Sequence, residues 1–255
     1  MKNVSAKKHL GQHFLTDENI AKRIGESLVH SEQYNNILEV GPGMGVMTKY
    51  ILKKYSSHDF KLIELDKESV DYLSVQFPLL QVYNEDFLKL DFKKVFKGPF
   101  AVIGNYPYNI SSQIVFKVID NREFIPEMSG MFQKEVAERI CEQPGTKSYG
   151  VISVLTKAFY DCEYLFTVSE NVFNPPPKVK SGVIRLLRKE HPISCNYGEF
   201  KHIVKTAFNQ RRKMLRKSLK SLFETETLTK EIFTKRPEQL SVDDFVSLVA
   251  LKKSK

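Results

Sequence analysis

The chain has 255 residues, of which 39 are Lys or Arg and 30 are Asp or Glu, so its formal net charge is +9. Apolar residues make up 42% and charged residues 27%, with only 12 glycines and 11 prolines. These values exclude collagen-like, low-complexity and disordered chains. The length predicts one large domain, or one domain with a small appendage.

The chain lacks the sequence patterns of membrane and secreted proteins. No stretch approaches the ~20 apolar residues that span a bilayer, and the early lysines are not followed by an apolar run. Cys141, Cys162 and Cys195 are odd in number and far apart, which argues against a disulfide framework and a zinc site. We therefore expect a reduced, cytoplasmic protein without a metal.

The positive charge is concentrated toward the end of the chain. Residues 191–255 contain 14 basic and 7 acidic residues, a net charge of +7, whereas residues 1–190 contain 25 and 23 and carry +2. A near-neutral body with a basic tail predicts a polyanionic partner. A solvated surface rich in lysine explains the same count, so charge alone leaves nucleic acid an open question.

Helical and strand patterns alternate through the first 190 residues. Thr16 or Asp17 can cap a first helix. The strand patterns that follow are NNILEV, FKLIELD, LLQVYNEDF, GPFAVIGN, YGVISVLTKAFYDCEYLFTV and SGVIRLLR. The helical patterns between them are VMTKYILKKY, KESVDYLSVQF, SSQIVFKVID and MFQKEVAERI. This alternation predicts an α/β fold with a doubly wound, mainly parallel sheet.

The alternation stops at KEHPISCNYGEF, where Pro192 and Gly198 act as breakers. Helical patterns then run from 200 to 222, from 227 to 234 and from 242 to 251. We expect one domain at 1–190 and a small α-helical domain at 191–255.

Three glycines follow the first strand in ILEVGPGMG: Gly41, Gly43 and Gly45. Glycine permits a sharp turn and the close approach of a ligand. The dinucleotide fingerprint G-x-G-x-x-G needs a small residue at position 46, where Val46 stands, so a nicotinamide oxidoreductase is disfavoured. S-adenosylmethionine carries no phosphate and does not need that third glycine, although a structural turn explains the pattern as well.

Acidic residues follow the next two strands. Glu64 comes 23 residues after Gly41, where a carboxylate can accept hydrogen bonds from both ribose hydroxyls. Asp86 follows the third strand, where it can accept a hydrogen bond from an adenine amine. Asp66 and Glu85 compete for these roles, and each acid alone is compatible with a surface position. Because ligands of such sheets bind at the carboxyl edge of the strands, the ordered set predicts a nucleoside cofactor.

The fourth strand ends in Asn105-Tyr106-Pro107-Tyr108. The Asn105 side-chain carbonyl and the Tyr106 backbone carbonyl can accept both hydrogens of an exocyclic amine, and Tyr108 offers a face for stacking a base. Two acceptors favour a pyramidal nitrogen whose lone pair can attack a sulfonium methyl group in line. Positioning and electrostatics then supply most of the rate.

Seven segments of the chain resemble the small-subunit ribosomal RNA adenine dimethyltransferases of bacteria, which are akin to the erythromycin-resistance methylases. They are KKHLGQHFL, ILEVGPGMGVMT, LIELD, NEDFLKLD, VIGNYPYNISSQI, FNPPPKVKSGVIRL and AFNQRRKMLRKSL. The resemblance covers nearly the whole chain and implies a class I S-adenosylmethionine-dependent methyltransferase fold with a small helical C-terminal domain.

The resemblance also implies the roles of individual residues. Asn105 and Tyr108 would be catalytic, with Phe173 facing Tyr108 across a flipped target base. The implied cofactor-binding residues are His13, Leu15, Gly41, Gly43, Glu64, Asp86 and Asn105. Two positions depart from the family: His13 replaces an asparagine, and Tyr106 replaces the usual leucine but keeps the backbone carbonyl. No dedicated general base is evident, and we expect the proton to leave to water.

A basic stretch without acids runs from Phe200 to Ser221, with an apolar face at helical spacing. Its cations can meet phosphates of a folded RNA, with lysines of the N-terminal arm added. The predicted RNA-binding residues are Lys7, Lys8, Lys205, Arg211, Arg212, Lys213, Arg216 and Lys217.

The resemblance implies that a monomer dimethylates two adjacent adenosines in a hairpin near the 3′ end of small-subunit rRNA, with the immature 30S subunit as partner. Two alternatives remain open: a resistance methylase that acts on large-subunit rRNA, and an assembly factor that binds RNA without needing catalysis. The AFNQRRKMLRKSL block and the helical C-terminal domain argue against the first alternative, and the intact Asn105–Tyr108 turn argues against the second.

Overall fold

The computed structural model describes residues 4–252. The chain forms two compact units, one from the described parts of Met1–Ala137 and Cys162–Arg188, the other from Glu138–Asp161 and the described part of Lys189–Lys255. The strands are β1 (Phe14–Leu15), β2 (Asn36–Val40), β3 (Asp59–Ile63), β4 (Gln81–Tyr83), β5 (Phe100–Asn105), β6 (Glu127–Gln133), β7 (Tyr160–Val168), β8 (Phe173–Asn174) and β9 (Ser181–Arg188). The helices are α1 (Glu18–Gly25), α2 (Thr48–Lys54), α3 (Lys67–Gln76), α4 (Phe92–Val95), α5 (Ser111–Asp120), α6 (Lys134–Cys141), α7 (Val151–Lys157), α8 (Tyr197–Asn209), α9 (Leu215–Ser218) and α10 (Val242–Leu251).

The main sheet has the strand order β4-β3-β2-β5-β6-β9-β7. Strands β4, β3, β2, β5 and β6 run parallel to their neighbours, and β9 is antiparallel to β6. Val40 lies opposite Ile63 on one side and Gly104 on the other. The carboxyl ends of β2, β3, β4 and β5 therefore meet at one edge, where α/β sheets bind ligands. This arrangement confirms the predicted doubly wound, mainly parallel sheet.

The strands form because their apolar runs are buried on both faces. Ile37, Leu62 and Ile103 are fully buried in the core of the first unit, as expected for a parallel sheet that is covered by helices. Asp17, rather than Thr16, caps α1, because its Oδ1 accepts a hydrogen bond from the Ile20 N–H at 3.0 Å.

Two elements differ from the sequence-based expectation. The segment EMSGMFQ forms β6, which the pattern does not reveal because its centre is Ser129-Gly130. A Cβ atom at Gly130 would lie 2.2 Å from the carbonyl oxygen of Gly104, so only glycine allows β5 to approach β6 here. The first part of YGVISVLTKAFYDCEYLFTV is helix α7. Its β-branched residues favour a strand, which is why the pattern predicts one there.

The second unit is built from α7, α8, α9, α10 and short 3-10 turns. Phe200, Leu215, Phe233 and Phe245 are fully buried in it. The contacts group residues 138–161 with these helices, whereas the sequence pattern assigns them to the first domain. One reason is that the Tyr149 ring packs edge-on against the Phe208 ring of this unit, with centroids 6.2 Å apart.

The expected single helix from 200 to 222 is interrupted. α8 ends at Asn209 and α9 begins at Leu215, and Met214 between them is extended, with ψ of 150°. The backbone N–H of Leu215 donates to the Lys235 carbonyl at 2.9 Å instead of continuing the helix. The expected helix at 227–234 is likewise two 3-10 turns, Thr227–Thr229 and Glu231–Thr234.

In the part of the chain that the structure describes, none of the helices combines the length and apolar character needed to cross a bilayer.

Candidate active site

The turn after β2 lies close to two other segments. Gly41, Gly43 and Gly45 have φ angles of +67°, +56° and +78°, in the left-handed region that glycine adopts without steric cost. A Cβ atom at Gly41 would lie 3.7 Å from the carbonyl oxygen of Asn105, and one at Gly43 would lie 3.0 Å from the Phe14 ring. The first distance is an ordinary van der Waals contact and the second is tight, so the absence of a side chain at Gly43 is what allows Phe14 to lie this close.

Glu64 follows β3 directly and is 6% exposed. The Gly43 N–H donates to its Oε2 at 3.1 Å, and the Asp66 N–H donates to its Oε1 at 2.9 Å. Burial raises the pKa of Glu64, and these two backbone hydrogen bonds oppose that rise. Because each carboxylate oxygen has a further lone pair, Glu64 is held ready to accept two hydrogen bonds from a ligand.

Asp66 ties the N-terminal segment to this edge of the sheet. Its carboxylate accepts hydrogen bonds from Lys7 Nζ, from Ser69 Oγ at 2.9 Å and from Gln12 Nε2 at 3.5 Å. Burial acts to raise the pKa of Asp66, but the hydrogen bonds from Lys7, Ser69 and Gln12 outweigh it and lower the pKa. Lys7, which the sequence analysis assigns to RNA, is therefore paired with an acid in the first unit.

Asp86 lies in the loop between β4 and α4. Its Oδ1 accepts the Leu88 N–H at 2.9 Å, and its backbone carbonyl accepts the Lys89 N–H at 2.9 Å. The loop is thereby closed around Asp86, whose Oδ2 remains an acceptor at the pocket wall. The competing acid Glu85 lines the same pocket as an exposed side chain. The ordered carboxylate is therefore that of Asp86.

Asn105 is the last residue of β5. Its side-chain Nδ2 donates to the His13 carbonyl at 3.2 Å. Because only the amide nitrogen can donate to a carbonyl, the Asn105 Oδ1 is left as an acceptor. Tyr106 turns into the core, where it is 1% exposed and its hydroxyl donates to the Ser129 carbonyl at 2.7 Å. The departure from leucine at this position thus gives the turn an additional anchor.

Tyr108 is fixed from three sides. Its hydroxyl lies 2.5 Å from Ser181 Oγ, and its carbonyl accepts a hydrogen bond from Ser111 Oγ at 3.1 Å. The His13 ring stacks on the Tyr108 ring with centroids 5.6 Å apart and an interplanar angle of 29°. The His13 Nδ1–H donates to the Pro175 carbonyl at 2.8 Å, which holds the imidazole in this position.

Phe173 lies in the core and is not among the residues that line the pocket, and its place opposite Tyr108 across a target base stays a prediction. β1 pairs with β8 so that Leu15 lies opposite Phe173, and both side chains are 4% exposed in the hydrophobic core. The ring that lies against Tyr108 is that of His13. In this structure Phe173 fixes the segment that carries His13.

Glu39, which none of the sequence motifs singles out, also lines the pocket. It is 1% exposed on β2, and the Thr48 hydroxyl donates to its Oε2 at 2.7 Å. Burial raises the pKa of Glu39 to about 8; the Glu64 charge adds to the rise and the Thr48 hydrogen bond opposes it. An acid inside an apolar strand, directly before the glycine turn, is the sequence signal that could have identified it.

These residues surround one pocket of about 200 Å³ at the carboxyl edge of the sheet. The predicted site residues that line it are His13, Leu15, Gly41, Gly43, Glu64, Asp86, Asn105 and Tyr108. Among residues 4–252, no group of three or more His, Cys, Asp and Glu side chains is placed to hold a metal ion.

The predicted RNA-binding cations fall into two groups. Lys7 is paired as described, and Arg211 Nε donates to Glu238 at 2.9 Å while its Nη2 donates to the Thr146 carbonyl at 3.2 Å. The other cations have exposed side chains. We call the members of this exposed set that lie in the second unit the basic surface: Lys205, Arg212, Lys213, Arg216 and Lys217. The remaining exposed cation, Lys8, lies in the first unit.

Comparison with known proteins identifies the family. A family model described as ribosomal RNA adenine dimethylase matches residues 3–253. A curated protein of Flavobacterium johnsoniae, "Ribosomal RNA small subunit methyltransferase A", is 58% identical over 253 residues, which cover 97% of this chain and 96% of that protein.

Two solved structures are similar in fold. A dimethyladenosine transferase from Plasmodium falciparum has a TM-score of 0.80 at 25% identity, covering 93% of this chain and 96% of the other. The 23S rRNA methyltransferase ErmE has a TM-score of 0.68 at 24% identity, covering 93% and 99%. Both support the predicted methyltransferase fold. With a family match over almost its entire length and a relative that is 58% identical over 97% of it, the chain belongs to the ribosomal RNA adenine dimethylase family and is a methyltransferase.

Proposed function

We propose that the protein transfers methyl groups from S-adenosylmethionine to the N6 amines of two adjacent adenosines in a hairpin loop near the 3′ end of 16S rRNA, dimethylating each during biogenesis of the small subunit. The observation that carries the proposal is the pocket itself. Asn105 and Tyr108 border the same space as Glu64 and the glycine turn. The residues proposed to position the target base and the residues proposed to hold the cofactor therefore line one cavity.

The pocket residues fit S-adenosylmethionine. Glu64 offers two oxygens, held by backbone N–H groups, to the two ribose hydroxyls. Asp86 offers its Oδ2 to the adenine amine, and Gly41 leaves space next to the Asn105 carbonyl for the methionine end. Because burial raises the pKa of Glu39, its carboxyl favours the protonated, uncharged form and adds a neutral polar group to the pocket wall.

When bound, the cofactor supplies an electrophilic methyl group on a cationic sulfur. The chain supplies positioning. Asn105 Oδ1 accepts a hydrogen bond from the target amine, because the other end of its amide is committed to the His13 carbonyl. Tyr108, fixed by Ser181 and Ser111, provides a stacking face worth ~1–3 kcal/mol for a base. The amine loses one proton per transfer, and we assign its acceptor to water.

The His13 ring stacks on one face of the Tyr108 ring. Its Nδ1–H is committed to the Pro175 carbonyl, so its ring is a fixed part of the wall. We infer that the target base either takes the opposite face of Tyr108 or displaces the His13 ring. In both cases His13 shapes the entry to the pocket and does not act as a base.

The proposal includes a monomer that acts in the cytoplasm on immature 30S subunits, docked through the basic surface. In support of a reducing compartment, none of Cys141, Cys162 and Cys195 forms a disulfide.

The test is a comparison of substrates. The protein is incubated with methyl-labelled S-adenosylmethionine and either immature 30S subunits or naked 23S rRNA, and the labelled nucleosides are identified by mass spectrometry. We expect N6,N6-dimethyladenosine in 16S rRNA alone. Label confined to 23S rRNA would contradict the proposal and support a resistance methylase, and RNA binding without label would support an assembly factor.

A further inference from the structure

The loop that carries Asp86 depends on a residue from another element. Residues 84–91 connect β4 to α4. Asp86 closes the loop from within through the N–H groups of Leu88 and Lys89. The carbonyl groups of Leu88 and Leu90 point the other way and are bound from outside the loop.

Lys117 on α5 supplies these outside bonds. Its Nζ donates to the Leu88 carbonyl at 2.9 Å and to the Leu90 carbonyl at 2.7 Å. The same ammonium lies 4.7 Å from the centroid of the Phe92 ring and 5.5 Å from that of Phe87. Two carbonyl dipoles and two ring faces thus surround one cation, at the base of the loop.

The electrostatics agree with a fixed ammonium. Burial lowers the pKa of Lys117, while the charges of Asp86 and Asp91 oppose that change. Burying a charged ammonium destabilises the folded state unless hydrogen bonds to the ammonium compensate for the lost hydration. The Asp86 carboxylate accepts hydrogen bonds without donating any.

α5 connects this loop with the catalytic turn. Its first residue, Ser111, bonds the carbonyl of Tyr108 at 3.1 Å, and Lys117 leaves the same helix less than two turns later. Helix α5 therefore positions both the adenine side and the target-base side of the pocket.

We propose that Lys117 is a positioning residue, which holds the 84–91 loop so that Asp86 accepts the 6-amino group of the cofactor's adenine. This inference rests on the role of Asp86 in the proposed function. Lys117 does not line the pocket, so it acts through Asp86 and not by touching the cofactor.

The test measures binding, not turnover. Isothermal titration compares S-adenosylhomocysteine with an analogue that carries purine in place of adenine and so lacks the 6-amino group. Wild type, Lys117→Met, Lys117→Arg and the matched control Lys89→Met are titrated with both ligands. Lys89 is an exposed lysine of the same loop.

We expect Lys117→Met to bind S-adenosylhomocysteine about tenfold more weakly, the size of a lost hydrogen bond to a charged group. It should bind the purine analogue almost as wild type does, so that the preference for adenine falls. Lys117→Arg retains a cation and donors and should restore most of the preference, and Lys89→Met should leave it unchanged.

Two results would overturn the inference: wild-type affinity in Lys117→Met, or equal weakening of both ligands with the preference intact, which would mean a general structural role. Should the methionine variant fail to fold, Lys117→Gln carries the same comparison, because its amide group donates hydrogen bonds without carrying the charge. A wild-type protein that binds neither ligand would contradict the proposed function and not the role of Lys117 alone.

Discussion

The pocket of the first unit and the basic surface of the second unit differ in how their ionisable groups meet solvent. In the pocket, Glu64 and Glu39 are 6% and 1% exposed, and hydrogen bonds fix their carboxyl groups. The cations of the basic surface are exposed, and among residues 4–252 they have no acidic partner.

This difference separates two kinds of function. Buried, fixed groups interact strongly with the single ligand atom that they contact. Exposed charges are screened by salt, and their contributions to binding add up. Changes in the pocket should therefore cause large losses that depend little on salt, and changes on the basic surface should cause graded losses that depend on salt.

The largest effect is expected for Asn105→Ala, because no other described residue replaces its Oδ1 next to the target amine. Methyl transfer should fall by about 1000-fold, the scale for losing a preorganised hydrogen-bonding group, while binding of RNA stays close to wild type. Single-turnover transfer of label is the measurement.

Asn36→Ala is the matched control for this variant. Asn36 makes the same kind of bond, from Nδ2 to the Pro99 carbonyl at 3.1 Å. It is the first residue of β2 and so lies at the end of that strand away from the pocket. Equal losses in both variants would show that Asn105 acts only through stability.

A smaller but still large effect is expected for Glu64→Gln. Its amide nitrogen must meet either the Gly43 N–H or the Asp66 N–H, which places two donors face to face. Affinity for S-adenosylhomocysteine should fall more than tenfold, measured by calorimetry. Glu68→Gln, on the exposed start of α3, should bind normally. An affinity of Glu64→Gln within twofold of wild type would remove Glu64 from the cofactor site.

A graded effect is expected when Arg212, Arg216 and Lys217 are changed together to Gln. RNA affinity should fall, and the salt slope of log K should flatten by about one for each phosphate contact that is lost. Filter binding over a salt series measures both quantities.

The control for this variant changes Lys22, Lys53 and Lys54, which are exposed in the first unit, to Gln and removes the same charge. An identical change of slope in the control would show that net charge, and not the basic surface, drives docking.

Arg211→Gln should instead lower the melting temperature, because Arg211 is bonded to Glu238 and to the Thr146 carbonyl.

The smallest effect is expected for Glu39→Gln, and it depends on pH. Because burial raises the pKa of Glu39 to about 8 from an ordinary 4.5, the folded state favours the protonated carboxyl. The resulting stability is fully present below pH 4.5 and is lost as the pH rises through 8. Glu39→Gln should therefore raise the melting temperature more at pH 8 than at pH 5. A shift of equal size at both values would contradict this account of Glu39.

Much of this arrangement can be predicted from the sequence, because local patterns encode it. The strand alternation and the position of Glu64 and Asp86 after strands place them at one edge of a parallel sheet. The resemblance and the motifs together anticipate the pocket from His13 to Tyr108.

The remaining features depend on contacts between distant residues. Phe173 lies in the core because β8 pairs with β1, a contact that no local pattern encodes. The break between α8 and α9 follows from the bond between Leu215 and Lys235, and β6 is hidden because Gly130 serves close packing and not propensity. Glu39 and Lys117 resemble ordinary polar residues until the fold surrounds them.

The separation of chemistry from docking is tested most directly by single-turnover methyl transfer to immature 30S subunits over a range of subunit concentrations. Wild type is compared with the variant that lacks Arg212, Arg216 and Lys217. The account predicts the same maximal rate for both proteins, with half-saturation at a higher subunit concentration in the variant. A lower maximal rate at saturating subunits would contradict it, because the basic surface would then contribute to the chemical step.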